Sequence, residues 1–387
     1  MRLAMVGTRG VPARYGGFET AVEEIGSRLA SRGHAVTVYC RGAEDPTMRE
    51  YLGMRLVHLP AVPRRSLETL SHSAISLGHV VARQRPDVAF VFNSANAPLL
   101  PLLRARRIPV AVHVDGLEWK RGKWSGSGQQ YYRRAESIAV RLGDRLISDA
   151  QGIADYYRDE FGIETDVIAY GAPILDDPGT ELLASLGLER HGYHLVVARF
   201  EPENHVAEIL EGYHASSAQQ PLVVVGSNPY EGAYDTRIRT LAEADERITL
   251  TGGLWDQALL NALYANALTY LHGHSVGGTN PSLLRAMGAA APVLAYDVNF
   301  NREVLGETAG FFTTTADIAR LVEKSEADAE ATVSSGQALR ERARERYDWD
   351  RVTDGYESLA IRLAAGESTH GTASGRRRSA RTGGDRP

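Results

Sequence analysis

Short apolar runs alternate with longer amphipathic stretches along most of the chain. In the first half, runs typical of buried strands lie at 2–6, 35–40, 54–58, 88–92, 109–114, 145–148 and 166–169. Stretches with the apolar spacing of helices fill most of the gaps, such as 18–30 and 129–141. This alternation predicts an α/β fold whose mostly parallel sheet is covered on both faces.

The alternation pauses at 171–179, a segment rich in Pro, Gly and Asp that has the composition of a linker. A second series of strand-like runs then follows at 193–198, 221–226, 247–251, 267–272, 292–295 and 310–312. We therefore predict two domains, 1–172 and 173–349. The last helical stretch precedes a basic tail, 366–387, whose lack of apolar residues predicts disorder.

The composition fits a globular protein. At 387 residues the chain is too long for one ordinary core. Its formal net charge of -5 gives no reason to expect nucleic acid as a partner. Met1 is followed at once by a strand-like run, and no window approaches the ~18 consecutive apolar residues of a membrane span. The single cysteine, Cys40, ends an apolar run and suits a reducing compartment, so we expect a cytoplasmic protein.

In open parallel sheets, ligands bind beyond the carboxyl ends of the strands, so the loops there are the places to look for a site. The first unusual loop, 7–20, holds four glycines, two arginines and a tyrosine. Gly16 and Gly17 come just before a predicted helix, where backbone N–H groups favour an anion. The glycine spacing differs from the Gly-x-Gly-x-x-Gly turn of dinucleotide-binding proteins, which argues against a nicotinamide dehydrogenase.

The second loop, after the strand at 109–114, combines a histidine, two carboxylates, two tryptophans and three cations. Carboxylates and imidazole can transfer protons, cations can bind phosphate, and indole faces can stack on sugars. This combination favours a functional loop over a solvated one. The spacing of the histidine and the acids matches no familiar metal site, so we predict no metal. The residues are His113, Asp115, Glu118, Trp119, Lys120, Arg121, Lys123 and Trp124.

The third loop, 272–282, carries the clearest physical signal. Asn280 is a preferred N-cap residue, and the proline after it suits the first position of a helix. A helix that begins there directs backbone N–H groups toward 277–279, an arrangement that favours phosphate. Zinc binding by His272 and His274 is disfavoured, because alternate residues at a strand end point to opposite faces.

One more candidate follows the first strand of the second domain. Arg199 stands at the end of that strand, where a guanidinium can hold a diphosphate in a bidentate manner. A surface ion pair with Glu201 or Glu203 is the structural alternative.

Together these segments resemble the family-4 retaining glycosyltransferases of the GT-B fold, in the branch of bacterial rhamnosyltransferase-like proteins of capsule and cell-envelope polysaccharide assembly. The similar blocks run in order along the chain, at 7–19, 115–124, 169–172, 199–204, 272–282 and 347–349. The resemblance implies two Rossmann-like domains whose parallel sheets face a central cleft, with the last helix, 350–364, packed back on the first domain.

The resemblance also implies a nucleotide-sugar donor on the C-terminal domain and a glycan acceptor, of the lipid-linked kind, on the N-terminal one. It implies transfer with retention and without a metal or other cofactor. His113, Asp115 and Glu118 are the candidates for orienting or deprotonating the acceptor. The residues implied for the donor are Gly16, Gly17, Arg199, Asn204, Gly277, Gly278, Thr279, Asn280, Ser282 and Arg285. Those implied for the acceptor are Arg14, Tyr15, Phe18, Glu19, Trp119, Lys120, Arg121, Lys123 and Trp124.

The chain departs from the wider family in two places. Asn204 stands where a lysine is usual, and Gly277 and Arg285 stand where the family has two glutamates. Glycine at position 277 fits the branch. Arginine at position 285 does not, because the glutamate that the family has there accepts hydrogen bonds from ribose hydroxyls, and arginine can only donate them. We hypothesise that Arg285 binds phosphate instead; a weakened donor site or a degenerate partner subunit are the alternatives.

Three other classes remain as alternatives to a transferase. These are a catalytically silent sugar-nucleotide-binding partner of another enzyme, a nucleotide-sugar epimerase and, less favoured, the dehydrogenase. The two tryptophans of the second loop and the basic cluster at 104–107 further suggest peripheral contact with the anionic inner face of a membrane.

Overall fold

The computed structural model describes residues 1–13, 16–42, 45–64, 67–114, 116–120, 126–228 and 232–370. The described chain forms two compact units. The first contains the described residues of 1–119 and 126–168 and those from 353 onward, and the second contains Lys120 and the described residues of 169–352.

The first unit is built on an eight-stranded sheet with the order β3-β4-β2-β1-β5-β6-β7-β8. Neighbouring strands are parallel except for the antiparallel pair β3 and β4. The strands are β1 (Arg2–Val6), β2 (Ala35–Cys40), β3 (Glu50–Tyr51), β4 (Met54–His58), β5 (Val88–Phe92), β6 (Val110–His113), β7 (Arg145–Ser148) and β8 (Asp166–Val167).

Helices separate most of these strands along the chain. They are α1 (Gly17–Ser31), α2 (Glu68–His79), α3 (Pro101–Ala105), α4 (Ser127–Leu142) and α5 (Gln151–Phe161), and α2 continues as a π-helical turn, Val80–Gln84. All five residues of β5 are apolar and buried, as expected for a strand that is covered on both faces. The predicted parallel α/β fold is confirmed.

The second unit contains a six-stranded, fully parallel sheet with the order β11-β10-β9-β12-β13-β14. Its strands are β9 (His194–Val197), β10 (Leu222–Val225), β11 (Ile248–Gly252), β12 (Thr269–His272), β13 (Val293–Tyr296) and β14 (Gly310–Phe312). Its helices are α6 (Val206–His214), α7 (Ala233–Glu243), α8 (Gln257–Asn266), α9 (Pro281–Gly288), α10 (Asn299–Leu305), α11 (Thr315–Ala327) and α12 (Ala329–Arg346). Because β9 and β12 are adjacent and parallel, the loops that follow them leave the same edge of the sheet.

The pattern of apolar runs did not predict β3. Its two residues, Glu50 and Tyr51, form a hairpin with β4, and the turn between them contains Leu52 and Gly53 at positive φ. A two-residue polar strand at the sheet edge has no apolar run to reveal it, because it buries little surface.

The last helix, α13 (Trp349–Ala364), contributes its residues from 353 onward to the first unit. Tyr356 is buried and packs against Phe90 of β5 with ring centroids 5.2 Å apart. Glu357 accepts a hydrogen bond from Arg32 at 2.7 Å and pairs with His34 at 2.7 Å. An apolar contact and an ion pair therefore both attach this helix to the unit.

The start of the predicted tail lies within the described residues. Ser368 Oγ donates to a carboxylate oxygen of Asp144 at 2.9 Å, and the Thr369 N–H donates to the Asp144 carbonyl at 2.8 Å. The remainder of the predicted disordered segment, 371–387, lies outside the described residues. In the described parts of the chain, none of the helices has the length and apolar character needed to cross a membrane.

Replacing Tyr356 with alanine should remove the main apolar anchor of α13. We expect the free energy of unfolding to fall by about 3 to 5 kcal/mol, because a buried aromatic side chain is lost and a cavity remains. Urea unfolding of the purified chain measures this. The control is Ile361→Ala on the same helix, where the side chain is 55% exposed and the change should stay within about 0.5 kcal/mol. Equal effects of the two substitutions would show that Tyr356 is not an anchor.

Candidate functional site

The loop between β12 and α9 ends in a capped helix, as the sequence indicates. Asn280 has an extended backbone conformation, and its Oδ1 accepts hydrogen bonds from the Ser282 N–H at 2.9 Å and from Ser282 Oγ at 2.7 Å. Gly277 has a φ of 141°, which disfavours a side chain, and Thr279 is buried. The helix dipole makes the start of α9 electropositive, and the cap satisfies the Ser282 N–H and fixes the first turn.

Hydrogen bonds join this loop to the loop between β9 and α6. Asn204 Nδ2 donates to the Arg199 carbonyl at 2.8 Å, and Asn204 Oδ1 lies 2.8 Å from Nδ1 of His274. The Ser275 N–H donates to the Glu203 carbonyl at 2.9 Å. Both ends of the Asn204 amide are therefore used inside the protein, so this residue connects the two loops.

The two loops also approach each other closely. A Cβ atom at Gly273 would lie 2.1 Å from the Asn204 carbonyl oxygen, which leaves room for glycine only. His205, at a φ of 48°, places its Nδ1 at 2.8 Å from the Gly273 carbonyl. The segments 199–205 and 273–280 thus form one packed surface at the carboxyl edge of the second sheet.

Arg199 contributes positive charge to this surface. Its side chain is exposed, and among the described residues it forms no ion pair with Glu201, Glu203 or any other carboxylate. The ion-pair alternative is therefore absent in this part of the chain. A guanidinium at a strand end with no carboxylate partner is available to an anionic ligand.

Arg285 lies on α9, and its Nη1 donates to Gln257 Oε1 at 2.8 Å and to Asn261 Oδ1 at 3.3 Å. Both partners belong to α8 and are uncharged amides. Because both partners are uncharged, they do not neutralise the positive charge of the guanidinium, but the two bonds orient it toward α8.

In the first unit, two half-buried acids hold the loop between β1 and α1. Glu19 Oε1 accepts from the Arg9 N–H at 2.9 Å, and Glu23 Oε2 accepts from the Ala13 N–H at 2.6 Å. Burial raises the pKa of Glu19. Gly16 precedes α1 with a φ of 97°, a value that favours glycine, and Gly17 is the first residue of the helix. Glu19, predicted to contact the acceptor, thus has a structural role in the loop.

His113 is the last residue of β6 and is only 2% exposed. Its ring stacks on Phe92 at a centroid distance of 5.7 Å and meets the edge of Phe18 at 5.1 Å. Burial lowers the pKa of His113 from 6.5 to about 3, so the imidazole is neutral at physiological pH. Phe18, predicted to bind the acceptor, packs on this histidine.

The segment after β6 lies only partly within the described residues. Glu118, Trp119 and Lys120 form one 3₁₀ turn in which Glu118 is buried and Lys120 is exposed. The guanidinium carbon of Arg133 lies 5.1 Å from the centre of the Trp119 ring, a cation–π contact. The other predicted site residues of the first unit, Arg14, Tyr15, Asp115, Arg121, Lys123 and Trp124, lie outside the described residues.

Sequence reasoning missed one feature of the second unit. Trp255, in the loop between β11 and α8, is 74% exposed at the same sheet edge as the loops after β9 and β12. The amide of Gln257, which binds Arg285, lies 3.5 Å from the Trp255 carbonyl. The glycine pair just before Trp255 was the available signal, since it resembles the glycine pairs of the other two loops.

No metal-binding cluster emerges from the described residues: no three His, Cys, Asp or Glu side chains come together as ligands there.

The two α/β units with mostly parallel sheets have the GT-B fold. Comparison with family models agrees: residues 16–171 match the glycosyl transferase 4-like domain, and residues 181–346 match glycosyl transferases group 1. The two matches together span most of the chain. The chain is therefore a family-4-like glycosyltransferase.

Solved structures share this fold. Sucrose-phosphate synthase from Thermosynechococcus elongatus has 20% sequence identity and a TM-score of 0.80, over 94% of this chain and 99% of that one. HepE from Anabaena, in complex with UDP, has 16% identity and a TM-score of 0.75, over 93% and 100%. A glycosyltransferase from Rickettsia africae has 10% identity and a TM-score of 0.71, over 94% and 98%. The comparison with curated proteins gave no significant match.

The buried His113 predicts a dependence of stability on pH. The pKa of its imidazole is lowered in the folded chain, so its contribution to stability is fully present above about 6.5 and is lost as the pH falls toward about 3. Between these values the unfolded chain binds a proton that the folded chain does not. In His113→Phe this proton linkage is absent, so the free energy of unfolding should fall less steeply with decreasing pH. The slope should be smaller by up to about 1.4 kcal/mol per pH unit.

Urea unfolding at a series of pH values from 7.5 to about 4 measures this slope. The unfolding free energy of the variant should still decrease as the pH falls, although less steeply, because burial also lowers the pKa of His72 to about 4 and that of His272 to about 3. Identical slopes for the two proteins would mean that His113 is protonated in the folded state.

Proposed function

We propose that this glycosyltransferase moves a hexosyl unit from a nucleoside-diphosphate sugar to a glycan acceptor, with the donor diphosphate bound at the joined loops of the second unit. One observation carries the proposal. The electropositive start of α9 and the guanidinium of Arg199, which has no carboxylate partner among the described residues, belong to loops that Asn204 connects. Both groups attract the negative charge of a diphosphate.

The chemistry follows from charge. When the bond between the sugar and the diphosphate breaks, negative charge grows on the leaving oxygen. Backbone amides, a helix dipole and an arginine can stabilise that charge without a metal ion, and they need no reorganisation because the fold holds them in place. In this proposal the second unit supplies these groups. Retention at the anomeric carbon rests on the resemblance alone.

The donor is the part of the proposal that related structures support. HepE was solved with UDP and with UDP-glucose, and a trehalose-6-phosphate protein of Escherichia coli with UDP-2-fluoro glucose. UDP-glucose is therefore the first probe. The sequence resemblance favours rhamnose as the sugar, so thymidine-diphosphate-rhamnose is the second.

For the acceptor, we propose a lipid-linked glycan of cell-envelope or exopolysaccharide synthesis, bound by the first unit at the cytoplasmic face of the membrane. The support is the resemblance together with the 3₁₀ turn in which Trp119 is followed by the exposed Lys120. Asp115 and Glu118 stay the candidates for orienting the acceptor hydroxyl. His113, neutral and buried, fits a proton acceptor only if acceptor binding exposes its ring.

A catalytically silent donor-binding partner is the second candidate. Arg285 favours it, because a group that only donates stands where the family has an acceptor, and its bonds to α8 hold it there. Nucleotide release from a donor panel, with and without lipid-linked acceptor, separates the classes. Transfer supports the main proposal, an isomerised donor indicates an epimerase, and binding without turnover indicates the silent partner.

Removing the charge of Arg199 should weaken nucleotide binding. In Arg199→Met we expect the dissociation constant for UDP to rise about 10- to 100-fold, the loss typical of a charge-assisted hydrogen bond. Isothermal titration calorimetry measures it. The control is Arg320→Met, an exposed arginine of α11 in the same unit, which should leave UDP binding unchanged. If both variants bind UDP like the parent protein, the donor does not lie beside Arg199.

Arg285→Glu tests the hypothesis that Arg285 binds phosphate. If it does, the charge reversal should weaken donor binding at least tenfold, because a carboxylate would repel the diphosphate. If Arg285 instead only prevents hydrogen bonding to the ribose, the carboxylate of the introduced glutamate should restore a hydrogen-bond acceptor and raise donor affinity. Calorimetry with UDP and UDP-glucose distinguishes the two outcomes by their sign.

A further inference from the structure

Beneath the first turn of α9 lies a set of buried polar side chains that the proposed chemistry does not use. Tyr270 and His272 are both on β12 and both almost fully buried. The Tyr270 hydroxyl lies 3.1 Å from His272 Nδ1 and 3.2 Å from Ser282 Oγ, and it also approaches the Val197 carbonyl at 3.4 Å. Tyr264 of α8 packs edge-on against Tyr270 at 5.1 Å.

The direction of each hydrogen bond follows from the number of protons. Asn280 Oδ1 can only accept, so the single hydroxyl proton of Ser282 is donated to it at 2.7 Å. Ser282 Oγ must then accept from Tyr270. The Val197 carbonyl can likewise only accept, but at 3.4 Å it is the longer contact, so we assign the single Tyr270 proton to Ser282 at 3.2 Å.

This direction assigns the tautomer of His272. Since the Tyr270 proton is assigned to Ser282, a hydrogen bond between Tyr270 and His272 at 3.1 Å requires a proton on Nδ1. Burial lowers the pKa of His272 to about 3 and raises that of Tyr270 to about 12, so both groups are neutral. Nε2 of His272 is therefore an unprotonated acceptor, and among the described residues it has no hydrogen-bond partner.

We propose that His272 and Tyr270 are positioning residues for the donor site, and that they act through Ser282 on the Asn280 cap. The chain of bonds runs from His272 Nδ1–H to Tyr270, from Tyr270 to Ser282, and from Ser282 to Asn280. It holds the cap, and with it the N–H groups at the start of α9, in one orientation. The inference rests on the proposed function, because it assumes that the diphosphate binds at this helix start.

The chain of bonds matters because Tyr270 and His272 are buried and Ser282 and Asn280 are half-buried. A buried hydrogen bond in a low-dielectric surrounding is stronger than one in water, and leaving one partner unsatisfied carries a penalty. A rotation of Ser282 or Asn280 would break at least one of these bonds. The sheet thus restrains the helix cap from below, which favours a preorganised site.

The first test measures UDP affinity. Tyr270→Phe and His272→Leu should each raise the dissociation constant about three- to tenfold, the effect of one misplaced neutral hydrogen bond. His272→Asn should recover most of the loss, because its Nδ2 can donate to Tyr270 as Nδ1 does. The KM for the acceptor should not change in any of them.

The matched control is Tyr193→Phe. Tyr193 is as buried as Tyr270 and donates one hydrogen bond, to the Leu263 carbonyl at 2.7 Å, but it precedes β9 at the opposite edge of the sheet. Its loss should lower the melting temperature and leave UDP affinity unchanged. If Tyr193→Phe weakens UDP binding as much as Tyr270→Phe, the effect is one of general stability and the proposal is wrong.

The second test asks whether His272 acts through Tyr270 and which ring nitrogen of His272 carries the proton. His272→Leu should add no further loss to Tyr270→Phe, because His272 acts through the tyrosine hydroxyl; additive losses would contradict this. Nitrogen-15 NMR, with the His272 signal assigned by its absence in His272→Asn, should show a neutral ring protonated at Nδ1. A ring protonated at Nε2 would overturn the assigned direction.

Asn280→Ala separates this inference from the proposed function. If Asn280→Ala and Arg199→Met weaken UDP binding and the variants of Tyr270 and His272 do not, the donor site is correct and the positioning role is wrong. If none of the variants weakens UDP binding, the donor site itself is misassigned.

Discussion

The amide of Asn204 is the contact on which the second unit's candidate site depends. One end of this side chain binds the carbonyl of Arg199 and the other binds His274, 70 positions away in sequence, and the Ser275–Glu203 and His205–Gly273 bonds join the same two loops. Two adjacent parallel strands bring the loops to one edge of the sheet, but they do not fix the distance between them. The bridge does, and it places a cationic strand end beside a capped helix.

Charge is distributed according to burial. The titratable groups beneath the sheet edges, His113 in the first unit and His272 with Tyr270 in the second, are neutral because burial disfavours their charged forms. Of the charged groups, Arg199 is exposed at the surface and Arg285 is bonded to neutral amides. The candidate donor site thus combines neutral buried groups with the cations of Arg199 and Arg285, although the whole chain is acidic.

Strand and helix alternation was enough to predict the parallel α/β fold, because both sheets use continuous apolar runs such as β5 that polar turns interrupt. The GT-B class came from the resemblance of the loop segments to a known family. The cap at Asn280 was also predictable, since its hydrogen bonds are local and an Asn-Pro pair specifies them. The short strand β3 was not, because it has no apolar run.

Long-range contacts were beyond the sequence. Glu19 accepts a hydrogen bond from the Arg9 amide only because the first loop folds back on α1. Asn204 connects two loops because its partner, His274, lies far along the chain. The same holds for the bond from Tyr270 to Ser282, because hydrophobic spacing identifies a buried tyrosine without revealing what its hydroxyl meets.

The close approach of Gly273 to the Asn204 carbonyl has a consequence for engineering this enzyme. Because no side chain fits between the two backbones, a foreign loop after β12 must carry glycine at position 273 or be exchanged together with the loop after β9. A chimera that places a side chain there would have to open this contact and would lose the alignment of cap and arginine.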